Sequence, residues 1–160
     1  MKKIASILIL VLMISCVGNA QDTSKEKKTY KVVKTASEWK KLLSPIAYNV
    51  LREAGTERPF TNEFKAIKGN GIFVCAACKT ELYKPEHKFD SGTGWPSFDR
   101  AVEGNVELDV DYKIGYARTE LKCNTCGGHL GHSFNDGPKK TTGKRHCING
   151  DALEFIPKEK

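Results

Sequence analysis

Two C-x-x-C units, Cys75-Ala76-Ala77-Cys78 and Cys123-Asn124-Thr125-Cys126, constrain this chain more than any other feature. Two residues between cysteines let one tight turn aim both sulfurs at a single ion, and two such turns complete a tetrahedron of four thiolates. A closed shell of that kind has no open position, so one zinc ion held by Cys75, Cys78, Cys123 and Cys126 would be structural. Two other readings compete, a pair of disulfides and iron in a rubredoxin-like site. A thioredoxin-like redox pair should open a helix in a βαβ setting, and neither unit does. The matched, doubled spacing favours zinc.

The compartment bears on that choice. Lys2 and Lys3 precede an apolar stretch centred on Ile7 to Ile14, and Gly18-Asn19-Ala20 places small residues where a signal peptidase cuts. The apolar run is too short to span a bilayer comfortably. Met13-Ile14-Ser15-Cys16 also resembles a bacterial lipoprotein box, in which Cys16 would carry a lipid anchor. Both readings imply export to the periplasm or envelope, soluble in one case and membrane-anchored in the other. Removing Lys2 and Lys3 lowers the formal charge from +7 to +5, which reads as a solvated basic surface. An exported chain does not meet genomic DNA, so no nucleic-acid partner is expected.

Residues 1–20 thus read as a signal segment, 21–36 as a polar tether and 37–157 as one domain. Trp39, Leu42, Leu43, Ile46, Ala47, Val50 and Leu51 recur at helical spacing. Pro45 would break one long helix, while Ser44-Pro45 suits an N-cap and first turn. The pattern predicts helices over Ser37–Leu43 and Pro45–Ala54, ended by Gly55, with Trp39 as a core anchor. Beyond them the chain is turn-rich and strand-like. Gly71 to Cys75, Val106 to Tyr112, Ile114 to Leu121, His129 to Phe134 and Ala152 to Ile156 are short and β-compatible. The fold class is mainly β with a short helical N-terminal arm.

Setting aside Cys16 and the four paired cysteines leaves Cys147. A leftover cysteine in an exported protein is an inert buried residue, an intermolecular partner or a reactive thiol. In a strand, Arg145, Cys147 and Asn149 would share one face. A cation before the thiol and an amide after it would favour the thiolate. His129 and His132 follow the second cysteine pair as proton donors or as structural histidines. Gly92-Thr93-Gly94-Trp95-Pro96-Ser97-Phe98 is a shaped loop presenting Trp95, to a ligand or to the core.

Taken together these segments resemble the methionine-R-sulfoxide reductase B family. The resemblance is carried by the two C-x-x-C units, Ser91 to Phe98, Gly128 to Phe134, Asp136-Gly137-Pro138 and Arg145 to Asn149, and extends from about Ser37 to Ile156. It implies a fold of two antiparallel sheets, tent-like, with the metal on the side away from the active site. It implies an oxidoreductase that returns methionine-R-sulfoxide in oxidised proteins to methionine, a repair function. Cys147 matches the nucleophile, which is left as a sulfenic acid. His129, His132 and Asn149 match polar positions at the sulfoxide oxygen, and Arg145 matches the basic residue near the thiol. Trp95 matches the wall that receives the substrate methyl group, with Phe134 placed beside it.

The chain departs from the family pattern at three places. Thr93 stands where many relatives carry a resolving cysteine, His146 stands where tyrosine is commoner, and the loop at Lys139-Lys140-Thr141-Thr142 is one residue longer. With threonine at that position, the sulfenic acid should be reduced directly by a small thiol or a thioredoxin-like partner. The alternative from another class is a non-enzymatic zinc-stapled β-domain that binds a ligand or protein, which would need neither Cys147 nor the histidine pair.

Overall fold

The computed structural model describes residues 28–65, 67 and 69–158. The expected signal segment, Cys16 and the first part of the expected tether lie outside the described residues. From Lys28 the chain lies along the second cysteine turn. The Val32 N–H donates to the Thr125 carbonyl at 3.0 Å, and the Tyr30 hydroxyl donates to Glu107 at 3.1 Å.

Helix α1 (Ala36–Leu42) begins at a reciprocal cap: the Thr35 hydroxyl accepts the Glu38 N–H, and the Glu38 carboxylate accepts the Thr35 N–H at 2.8 Å. Helix α2 (Pro45–Glu53) starts as Ser44-Pro45 predicts, with Ser44 Oγ accepting the Ala47 N–H at 3.1 Å. Trp39, Val50 and Leu51 turn inward and are buried. The expected stop at Gly55 falls one residue early, because Ala54 takes the left-handed conformation at φ 51°. A Cβ at Gly55 would lie 1.8 Å from Asn49 Oδ1, the end of an exposed side chain that would have to move aside.

Nine strands, all paired antiparallel, follow among the described residues: β1 (Gly71–Cys75), β2 (Glu81–Tyr83), β3 (Lys88–Phe89), β4 (Ser97–Phe98), β5 (Val106–Asp111), β6 (Arg118–Cys123), β7 (His129–Phe134), β8 (Arg145–Ile148) and β9 (Leu153–Pro157). They form a three-stranded sheet ordered β2-β1-β9 and a six-stranded sheet ordered β3-β4-β8-β7-β6-β5. The mainly β, two-sheet reading therefore holds. The strand expected from Ile114 begins only at Arg118, because the segment after Asp111 turns at Gly115, whose φ is +88°.

Between the sheets lies an aromatic core. Tyr83 stacks on Phe98 at 4.3 Å between centroids, and Phe73 meets Phe98 edge-on at 5.1 Å. Leu82, Leu121, Leu130 and Ile148 complete it, all fully buried. Each such side chain contributes about 1.5–3 kcal/mol on burial. Helix α2 packs on β7, and Gly128 allows the approach, as a Cβ there would meet Leu51 at 2.9 Å.

Candidate active site and metal centre

The four paired cysteines converge. Their sulfurs all lie within 4.8 Å of one another, with Cys75 and Cys126 3.8 Å apart and Cys78 and Cys123 3.5 Å apart. A disulfide would need about 2.05 Å, whereas a tetrahedron with zinc–sulfur bonds of about 2.3 Å has edges of about 3.8 Å. The two turns are equivalent: the N–H groups of Lys79 and Gly127 donate to the Cys75 and Cys123 carbonyls at 2.8 Å, and both residues have positive φ. The ligands come from the ends of β1 and β6 and the turns that follow them, so an ion here joins the two sheets. Strand β6 carries Cys123 at this end and Arg118 at the other, five steps or about 17 Å away.

Arg118 lines a cavity of about 150 Å³ that also exposes Cys147, His132, Trp95 and Phe134. That volume accommodates a benzene-sized group. Cys147 is built into β8, where it pairs with His132 of β7 on one side and Ser97 of β4 on the other. Directly paired residues project from the same face with Cβ atoms about 5 Å apart. Gly131 lets the strands close here, because a Cβ on it would lie 2.0 Å from the Cys147 carbonyl oxygen.

Residues three apart in a regular strand point to opposite faces, yet His129 and His132 meet edge-to-face at 5.2 Å. The reason is a bulge. His129 pairs with Lys122 and Gly131 with Leu121, which leaves Leu130 as the extra residue and turns its side chain into the core. His132 lines the cavity; His129 does not, and is buried with its Nδ1 2.7 Å from Glu120. His129 Nε2 and Arg118 Nε are buried without a hydrogen-bond partner among the described residues.

His132 Nε2 lies 2.8 Å from Asp111 Oδ2, which also receives Arg118. The Lys113 N–H, His132 and Arg118 together hold the Asp111 carboxyl well below the usual carboxylate range. Burial lowers the His132 pKa in spite of that carboxylate, so the imidazole is neutral at neutral pH. Burial likewise pushes the Cys147 thiol up, against the nearby Arg145 cation and hydrogen bonds from Thr93 and Arg145. The expected preference for thiolate is thus only half realised. Arg145 supplies its share, but the Asn149 amide is occupied elsewhere, accepting the Glu57 N–H at 3.0 Å and donating to the Leu130 carbonyl at 3.0 Å.

Arg145 is buried, stacked on Phe134 at 4.5 Å and clamped by Asp136 through two 2.9 Å hydrogen bonds. Trp95 donates its Nε1–H to the Glu57 carbonyl at 3.2 Å, which fixes the ring as a cavity wall. Thr93 is held beside Cys147 by Ser91, whose hydroxyl lies 2.8 Å from those of both Thr93 and Ser97. His146 faces away and meets the Tyr83 hydroxyl at 3.3 Å. Sequence reasoning brought together Cys147, His132, Trp95, Phe134, Arg145 and Asn149. It missed Arg118 and Thr56, which line the cavity, and Asp111 and Glu57, which hold its lining residues; only strand register and the turn after α2 bring them there.

A model of the SelR domain matches residues 43–157. The chain belongs to the SelR domain family. Proteins named peptide methionine sulfoxide reductase MsrB are similar to it along most of their length. The one from Chromohalobacter salexigens is 48% identical over 130 residues, covering 81% of this chain and 98% of its own. The one from Bradyrhizobium diazoefficiens is 50% identical over 129 residues, covering 80% and 92%. Methionine-R-sulfoxide reductase B3, mitochondrial, of Mus musculus is 44% identical over 141 residues, covering 88% of this chain and 55% of its own. The resemblance drawn from the motifs is borne out, and it includes the metal turns and the cavity residues within one matched span.

Proposed function

We propose that this chain reduces the R epimer of methionine sulfoxide in proteins to methionine, with Cys147 as nucleophile. The observation that carries the reading is the cross-strand pair of Cys147 and His132 inside a cavity walled by Trp95 and Phe134. A neutral sulfoxide is a poor electrophile until its oxygen is hydrogen-bonded or protonated. The cavity offers both an apolar wall for the methyl group and a polar corner of His132 and Arg118 for the oxygen.

The chemistry follows from the protonation states. Because burial holds the thiol protonated and His132 neutral, the thiol proton passes to Nδ1 of His132, the ring nitrogen not turned to Asp111, as sulfur attacks. Asp111 fixes the ring through Nε2 and stabilises the imidazolium, as the orienting carboxylate does in other nucleophile–histidine pairs. The imidazolium then gives its proton to the sulfoxide oxygen. Cys147 Sγ bonds to the sulfoxide sulfur; the oxygen then passes to Cys147 Sγ as the sulfur–sulfur bond and the substrate's sulfur–oxygen bond break, so that methionine leaves and a sulfenic acid remains on Cys147. Two equivalents of an external thiol, small or thioredoxin-like, return the sulfenic acid to thiol and yield one disulfide and one water. Methyl group, oxygen and attack direction are each assigned a place, so one sulfur configuration fits.

Cys75, Cys78, Cys123 and Cys126 would hold one zinc ion, which stabilises the fold and leaves the reacting atoms to the cavity. His129, Arg145 and Asn149 act around the pair: His129 packs on His132, Arg145 pulls the thiol down, and Asn149 fixes the floor. Export and an anchor at Cys16 belong to the same proposal, as repair of oxidised envelope proteins. The test is reduction of separated R and S epimers of N-acetyl methionine sulfoxide with dithiothreitol. Turnover of the R epimer alone supports the reading; turnover of neither overturns it in favour of a binding domain.

A further inference from the structure

The four residues Asn124 to Gly127 of the second cysteine turn are each held from outside the turn. Lys28 Nζ donates to Asn124 Oδ1 at 2.6 Å, and the Val32 N–H donates to the Thr125 carbonyl at 3.0 Å. From α2, Arg52 Nη1 donates to the Cys126 carbonyl at 3.0 Å. The Tyr30 ring lies on Gly127, where a Cβ would sit 2.4 Å from it. That ring is itself fixed. Its hydroxyl donates to Glu107 of β5, which also pairs with Lys28 at 2.9 Å. The ammonium groups of Lys28 and Lys122 stand 5.4 and 5.8 Å from the ring centroid, and Val32 packs on the hydrophobic core.

The first cysteine turn is more open. It is tied by the Ala76 N–H, which donates to the Ala152 carbonyl at 3.0 Å, and by an ion pair of two exposed side chains, Lys79 and Glu154 of β9. Cys78 is half-buried, whereas Cys126, its equivalent in the second turn, is 2% exposed. A closed thiolate shell gives up its ion one sulfur at a time, and a sulfur swings off only where its turn can open locally. Of the two turns, the first is the one built to open.

We propose that Lys28–Val32 is a strap that locks the second cysteine turn, so that zinc exchange is confined to the first turn and begins at Cys78. The inference rests on the zinc reading of the four cysteines and is independent of what the cavity binds. It assigns a role to part of the stretch that composition alone reads as a tether. External thiols of the kind the proposed reaction consumes are themselves soft zinc ligands. A centre that opens from one side loses its ion to them more slowly than one that opens from both. Tyr30 is the centre of the lock, because its ring covers Gly127 and gathers Lys28, Glu107 and Lys122 around it.

The test follows transfer of zinc from the loaded full chain to the chelating dye 4-(2-pyridylazo)resorcinol. Iodoacetamide is present in a parallel sample, and peptide mapping reports which of the four ligands is alkylated first. In wild type Cys78 should be labelled first, with Cys123 and Cys126 later. Tyr30→Ala should release zinc about tenfold faster and label Cys126 as early as Cys78. Tyr30→Phe keeps the ring on Gly127 and should stay within about twofold of wild type. Lys28→Ala, at an exposed position, should speed release by about threefold and carries the test should Tyr30→Ala not fold. Equal release by wild type, Tyr30→Ala and Lys28→Ala, or Cys126 labelled as early as Cys78 in wild type, overturns the strap. Faster release with all four ligands labelled together marks general unfolding and overturns it too. Wild type that binds no zinc sinks the metal reading itself, and the strap with it.

Discussion

Glu57 is the buried carboxylate behind the substrate wall, and replacing it with glutamine separates its charge from its position. Its two oxygens accept the N–H groups of Gly150 and Asp151, each at 2.7 Å. Its own N–H and carbonyl hold Asn149 and Trp95. Burial raises its pKa from 4.5 to about 7, against the pull of those two N–H groups. Because the folded value lies above the unfolded one, its stabilising contribution is complete below about pH 4.5 and is lost as pH rises through about 7. The gap corresponds to about 3 kcal/mol, most of it falling between about pH 4.5 and about pH 7. A glutamine in its place does not ionise, and the amide nitrogen confronts one N–H donor, a pH-independent cost of about 1–3 kcal/mol. Urea unfolding of wild type and Glu57→Gln across that range should show wild type losing about 2–3 kcal/mol relative to the variant as pH rises. His132 and His146 titrate in both proteins and cancel in the difference. Parallel stability curves would refute the reasoning.

Cys75→Ser or Cys123→Ser should lose both metal and fold, since structural zinc contributes on the order of 10 kcal/mol in small domains; elemental analysis of wild type should find about one zinc per chain. Thr93→Cys places a thiol where the threonine hydroxyl now meets Cys147. After one turnover, peptide mapping of that variant should find a disulfide between the introduced thiol and Cys147 in place of the sulfenic acid. Trp95→Ala removes the wall fixed by the Glu57 carbonyl, and kcat/KM should fall by roughly 10–200-fold with a matching loss of epimer discrimination.

Several of these features were legible in the sequence because they are local. The matched C-x-x-C spacing specifies a tetrahedral centre within two turns, and Ser44-Pro45 marks the start of α2 by capping chemistry alone. Cys147 stood out by subtraction. Other features depend on pairing across strands, which no single-strand pattern records. Leu130 looks like an ordinary strand residue, yet its extra place in the β7 register is what brings His129 and His132 together. Arg118 and Asp111 are common surface types until the β5–β6 hairpin sets them opposite each other. The alternation from Val106 to Tyr112 marks a strand, but it does not say that the core stops short of this edge and leaves Leu108 and Val110 exposed. Asn149 lies just past the end of β8 and lines the cavity with Cys147, while the two hydrogen bonds that occupy its amide come from residues distant in sequence.

The central claim is that Cys147 takes the sulfoxide oxygen, and it is open to a single-turnover measurement. The zinc-loaded chain is mixed with one equivalent of methionine-R-sulfoxide without reductant, and then analysed by intact mass and peptide mapping with and without dimedone. The account predicts one equivalent of methionine released, one oxygen atom gained on Cys147 as a sulfenic acid that dimedone traps, and no disulfide. Methionine released by Cys147→Ser, or a native disulfide from Cys147 to any of Cys75, Cys78, Cys123 and Cys126, would contradict it.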